Sequence, residues 1–289
     1  MKKIIIVTLL TAFPLLMSAG GPWVQKKGKS YFKLSEWAVV FDQHFTSSGL
    51  LDPNVTTGVF NTFLYGEYGV TDQYTILLNS AVFSRTYVNN LVSGTTGNII
   101  APGGALNYFG DTDIGIKRSI GKSNRYPLAA TVVLGLPTGK SSGGVGGNLQ
   151  TGDGEFNQLV QLDVGHGFQS FGKNSSYYAA YLGFNHRTKG FSEEIRYGLE
   201  GGIAFFDSKT WLIARIAGVE SLKNGLTAED SMSTSIFANN TEFTSFSLEL
   251  NQYLTQKIGI SLGFAGAFRG EIIAAAPSYS FGVFLDLTK

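Results

Sequence analysis

The chain contains no cysteine, only 3 histidines and 7 prolines in 289 residues, and its charged side chains make up just 15% of the total. Without cysteine there is no disulfide framework, no thiolate metal centre, no cysteine nucleophile and no lipobox residue to acylate. A soluble domain carries about 25% charged residues, so this chain is poorly suited to bulk water. The 22 Lys and Arg against 21 Asp and Glu leave a net charge of +1, which provides no basic footprint for nucleic acid. After Gly20 an uninterrupted apolar run of about 18 residues is also missing, so no helix is expected to span a membrane. Glycine and aromatics are abundant instead, with 37 Gly, 22 Phe, 13 Tyr and 3 Trp in a chain that is 43% hydrophobic. That hydrophobic content excludes disorder.

The first 20 residues read as an export signal. Lys2 and Lys3 form a basic start, Ile4 to Leu16 an apolar stretch, and Ser18 and Gly20 place small residues where a signal peptidase reads them. About 13 apolar residues are too few to cross a bilayer. Residues 1–20 are therefore expected to be a cleaved signal peptide, and 21–289 a single mature domain.

Period-2 alternation dominates the mature chain. Ile195, Tyr197, Leu199, Ile203 and Phe205 share one face, against Glu194, Arg196, Gly198, Glu200 and Gly202 on the other. Similar patterns run from Leu128 to Leu136, from Ile258 to Arg269 and from Tyr279 to Leu287. One face is apolar and the other small, polar or charged, as in half-buried strands. Soluble strands average about five to six residues, whereas these segments have the length of tilted membrane-spanning strands, about 9–11 residues. About twelve such segments occur, near 30–41, 57–68, 73–85, 106–118, 125–137, 155–168, 177–187, 193–205, 209–220, 241–254, 257–269 and 278–288.

The connections sort by parity. Those after even-numbered strands are short (Gly69–Asp72, Ser119–Asn124, Gln169–Ser176, Phe206–Ser208, Thr255–Gln256), and those after odd-numbered strands include the long Thr86–Ala105, Thr138–Gly154 and Ser221–Asn240. Short periplasmic turns alternating with longer outer loops mark an outer-membrane barrel with an even strand number. Tyr31, Tyr68, Tyr74, Tyr126, Phe168, Phe171, Tyr178, Phe205, Trp211 and Tyr253 fall beside the short turns, where an aromatic girdle is expected. The fold class that follows is all-β: a single antiparallel transmembrane β-barrel of about twelve strands in the outer membrane of a diderm bacterium.

If apolar faces meet lipid, the polar faces line a lumen. Lys33, Glu67, Arg85, Asp111, Asp113, Arg187, Glu194 and Asp286 belong to that lining. The pore-lining candidates are Lys117, Asp163, Arg196, Glu200, Arg215, Glu249 and Arg269, with Arg196, Glu200, Arg215 and Glu249 at mid-barrel. Charges placed there escape the cost of facing lipid. Twelve strands about 4.8 Å apart and tilted by roughly 40° give a backbone radius of about 12 Å, so side chains leave a narrow channel or none. Either the charges select permeating solutes, or they pair and fill the barrel.

Catalytic and metal readings are weak. The stretch GLPTGKSS fails the phosphate-loop spacing by one residue, because the required glycine falls on Leu134. His166 and His186 are expected at opposite rims and His44 in the first outer loop, too dispersed for one triad or one metal. Asp111, Asp113, Asp153 and Glu155 carry generic spacing for calcium, and Thr227 to Asp230 resembles a capping box. No catalytic residue, metal site or cofactor is assigned.

The stretches GEYGVTDQYTI (66–76), FGDTDIGIKRSI (109–120), LGLPTG (134–139), TGDGEFNQLVQLDVGHGF (151–168) and YLGFNHRTKGFSEEIRYGLEGG (181–202) resemble, in this order, the outer-membrane transporter family named for the meta-pathway of phenol degradation. The resemblance covers nearly all of the mature chain, and Gly69–Asp72, Gly110–Lys117 and Leu136–Gly139 carry it most specifically. It implies a barrel distantly similar to fatty-acid-type transporters of small hydrophobic molecules. Two departures stand out: only about ten residues lie between the signal and the first strand, too few for a plug of N-terminal helices, and the chain ends in Lys289 where barrel proteins commonly have an aromatic.

The expected function is a passive channel or transporter for small, hydrophobic or aromatic molecules, not an enzyme. The alternative is a non-transporting envelope or surface-interaction barrel closed by ion pairs. Its expected partners are outer-membrane lipid, a small solute and the barrel-assembly machinery.

Overall fold

The computed structural model describes residues 21–121, 125–171, 174–226 and 237–288. The expected leader over residues 1–20 and the capping-box pattern at Thr227 to Asp230 lie outside the described residues.

The alternating segments form strands β1 (Ser30–Phe45), β2 (Leu51–Gly69), β3 (Tyr74–Val88), β4 (Leu91–Val92), β5 (Ile99–Ala101), β6 (Gly104–Tyr108), β7 (Thr112–Ser119), β8 (Leu128–Leu136), β9 (Asn157–Ser170), β10 (Asn174–Arg187), β11 (Glu194–Phe205), β12 (Thr210–Ser221), β13 (Glu242–Tyr253), β14 (Ile258–Glu271), β15 (Ile273–Ala274) and β16 (Ser278–Asp286). The β4–β5 pair is a small hairpin inside an outer loop. β6 and β7 are two pieces of one stave, both paired to β3, and β15 and β16 both pair with β1. The 14-stranded sheet therefore has twelve staves, 14 less the two broken ones, all antiparallel. β1 pairs with β2 on one side and β16 on the other, which closes the ring and leaves no sheet edge along that seam.

Short and long connections alternate as expected, apart from three outer connections, 46–50, 188–193 and the one that joins β14 to the last stave, that are also brief. β1 and β2 run further than the alternation suggests. His44, expected in the first outer loop, instead lies in β1 opposite Asp52 and Ala274. These strand ends carry polar residues on both faces, because beyond the bilayer no lipid enforces an apolar one.

Burial is inverted relative to a soluble protein. Thr57, Ser84, Lys117, Thr131 and Asn185 are fully buried, while Leu34, Leu162, Leu182, Leu199 and Phe281 are more than half exposed on the outer belt. Buried polar and charged side chains gather on the inner face while large apolar ones stand exposed on the outer belt, the arrangement a barrel in lipid requires.

Two β-bulges interrupt the inward/outward alternation. On β3, Phe63 pairs with Ala81 and Thr62 with Phe83, leaving Val82 as the extra residue. On β14, Ser245 pairs with Ala267 and Thr244 with Arg269, leaving Phe268 over. One extra residue exchanges the two faces for everything beyond it. Arg85 and Arg269, both expected in the lumen, therefore point outward. Arg85 donates to Asn107 on β6 at 2.8 Å.

Candidate functional site

The lumen holds two adjoining chambers. The one toward the short turns has a volume of about 570 Å³ and is walled by Trp23, Tyr31, Tyr65, Tyr177 and Trp211 among charged side chains. Tyr31, Trp211 and Tyr253, expected in the outer girdle, turn inward. Their positions share the face of Lys33, Arg215 and Asn251, and the Tyr253 hydroxyl donates to Asp286. The girdle proper forms on the outer face around His166, which is stacked against Phe168 and close to Tyr126 and Tyr178.

A ladder of charges crosses this chamber. Lys33 Nζ on β1 meets Glu249 Oε1 on β13 at 2.8 Å, and Arg215 Nη1 on β12 meets Glu249 Oε2 at 2.7 Å. Arg215 Nε also donates to Glu200, its directly paired neighbour on β11, and Glu200 accepts from the Tyr177 hydroxyl on β10. Antiparallel register brings Tyr177, Glu200, Arg215 and Glu249 together, because they occupy inward positions on the adjoining staves β10 to β13, while Lys33 reaches Glu249 past the two staves β16 and β14.

The residues before β1 cross the short-turn mouth as an extended strap rather than as helices. The Gly21 carbonyl accepts from the buried Lys117 ammonium at 2.9 Å. Trp23 packs edge-on against Tyr177 at 5.3 Å. Gln25 bonds through its backbone to Thr75 at 2.7 Å and through its side chain to Glu67 at 2.6 Å. Gly165 makes room for the strap: a Cβ there would meet Pro22 Cγ at 2.9 Å and the Trp23 ring at 3.0 Å. Beside this anchor, Asp163 accepts from Gln161 at 2.7 Å and Thr131 at 3.2 Å.

The second chamber, about 230 Å³, lies toward the long loops and shares Phe63 and Asn79 with the first. Its rim is organised by Arg187, which donates to Glu155 at 2.8 Å, Glu194 at 2.7 Å and Asp153 at 3.2 Å. Arg196 joins through Glu194 at 2.8 Å. Glu155 and Asp153 come from the 137–156 loop, whose ends are pinned where the Asp111 carboxylate accepts from the backbones of Gly139 and Asp153. Burial pushes the Glu155 carboxyl above its ordinary value, against the pull of the Arg187 bond. On the opposite wall Trp37, Val39, Phe41, Phe243 and Ile273 form an apolar cluster.

Of the seven candidates, Glu200, Arg215 and Glu249 share the ladder, Arg196 sits in the loop-side network, and Lys117 and Asp163 lie by the strap. Arg269 is a correction. Its side chain is 52% exposed and pairs with Glu220 and, at 3.6 Å, with Glu242 on the outer surface, because the Phe268 bulge turned it away from the lumen. Tyr65, Tyr177, Trp23 and Gln25 were missed. An aromatic standing on an otherwise small or polar strand face was the available signal for the two tyrosines.

A closed ring of twelve antiparallel staves, apolar outside and charged within, defines an outer-membrane β-barrel. No protein-family model matches the sequence, and no curated protein matches it. Among solved structures, the chain is similar to the outer-membrane channel from Pseudomonas putida F1, with a TM-score of 0.58 and 16% identity over 95% of this chain and 99% of that one. It is also similar to the NanC porin, with a TM-score of 0.49 and 10% identity over 89% of this chain and 100% of that one. At these identities the likeness is one of fold.

Proposed function

We propose that the protein is a passive outer-membrane channel for small molecules, hydrophobic or aromatic ones included. The observation that carries this reading is the pair of chambers meeting at Phe63 and Asn79 inside a closed barrel. Aromatic walls with a few placed charges suit passage of a compact, partly apolar solute. Membership of the transporter family named for phenol degradation is part of the same proposal, as are lipid around the belt, a small solute within and the assembly machinery that inserts barrels. Purified protein in liposomes should admit small aromatic solutes in a swelling assay and conduct in a planar bilayer. Absence of both flux and conductance would sink the proposal.

The strap and the Arg187 network favour a second reading, in which the barrel stays shut and its loops recognise something outside. The two separate at Trp23. Trp23→Ala should raise conductance if the strap narrows a pore, and leave a silent barrel silent if it does not.

A further inference from the structure

The chamber toward the short turns holds one charge more than its ion pairs account for. Lys33 and Arg215 are matched by Glu249 and Glu200. Glu67, on the same wall, is 4% exposed and accepts hydrogen bonds only from neutral groups, the Gln25 amide and the Tyr65 hydroxyl. Among the described residues no salt bridge reaches it. The free electrostatic demand is thus one negative charge, in a chamber walled by aromatic rings that attract cations.

Three classes of occupant can be compared. An anion would face Glu67 with like charge, while both bases are already held by carboxylates. A neutral aromatic would gain the ring contacts but leave Glu67 uncompensated. An organic cation satisfies the carboxylate and lies against the aromatic walls. A volume of about 570 Å³ falls within the range of about 300–1,000 Å³ typical of small-molecule sites.

We infer that this chamber is a binding site for a small organic monocation, an ammonium group carried on a compact apolar body, with Glu67 as counter-ion. The inference rests on the channel reading for how the cation arrives, but binding is measurable without flux. Calorimetry on the detergent-solubilised protein with phenethylammonium, phenethyl alcohol and phenylacetate compares three charges on one shape. The ammonium should bind about tenfold or more tightly than either of the others, as one uncompensated charge in a partly buried site implies. Glu67→Gln keeps groups for Gln25 and Tyr65 to bond and should abolish that preference, whereas Trp211→Leu should weaken the ammonium and the alcohol together. Equal binding of all three probes to the native protein, or a preference that survives in Glu67→Gln, would overturn the site. Should Glu67→Gln not fold, the ranking of the three probes on the native protein decides alone. Swelling assays with the same solutes separate the two ideas. Cation-selective binding without any flux rejects the channel and keeps the site; flux without any preference for the cation in binding does the reverse.

Discussion

Trp37, Phe41, Phe243 and Ile273 pack one wall of the loop-side half of the lumen as a soluble protein packs its core, and across from them Arg187 gathers three carboxylates. The turn-side half uses equally large side chains, Trp23, Tyr65, Tyr177 and Trp211, yet they border a void, even though Tyr177 touches both indoles. The difference lies in what holds the rings. In the first half apolar side chains meet one another and the chain turning in at 272–276. In the second, hydroxyls are tied to carboxylates at the wall, Tyr177 to Glu200 and Tyr65 to Glu67, so the rings are anchored without collapsing inward. Polar anchoring of aromatics thus preserves space where apolar contact would remove it.

Breaking each kind of charge site should reveal how much of it is structural. The largest effect is expected at Arg187, whose side chain is only 5% exposed. Arg187→Ala strands Glu155 without its base and leaves Glu194 to Arg196 alone, and unfolding in denaturant should show a loss of about 3–5 kcal/mol. Arg215→Met should cost less, about 2 kcal/mol, because Lys33 still serves Glu249 and the adjoining chamber admits solvent to Glu200. Arg269→Ala should change stability by no more than about 1 kcal/mol, since its own side chain is exposed on the outer surface and Lys223 still serves Glu242. An Arg269 effect as large as that of Arg215 would mean that the Phe268 bulge does not turn this side chain outward.

Much of the architecture was legible because a strand in lipid must alternate, and twelve alternating segments of spanning length leave few alternatives. The parity of the connections was legible for the same reason, with 46–50 as the main surprise: where β1 and β2 outrun the bilayer, nothing forces the pattern that would have announced them. Within the lumen, legibility stopped at the bulges. Val82 and Phe268 are ordinary strand residues, and a single unpaired position leaves no compositional mark, so Arg85 and Arg269 were assigned to the wrong face. Tyr31, Trp211 and Tyr253 failed differently. Their distance from the turns was read correctly, but position along a strand does not decide between headgroup and lumen, and face does. The mutual pairing of Glu200, Arg215 and Glu249 followed once register was known, because register alone determines which inward residues are neighbours.

The strap also bears on how the closed ring is held together. The seam that completes the ring joins β1 to β16, the two ends of the described barrel, with Tyr31 opposite Asp286. A ladder between residues so distant in sequence forms late, after more local hairpins have zipped. The strap works across that ring rather than along it: from its base at β1 it is fixed to Glu67 on β2, Thr75 on β3, Lys117 on β7 and Tyr177 on β10, so one short segment braces more than half of the circumference.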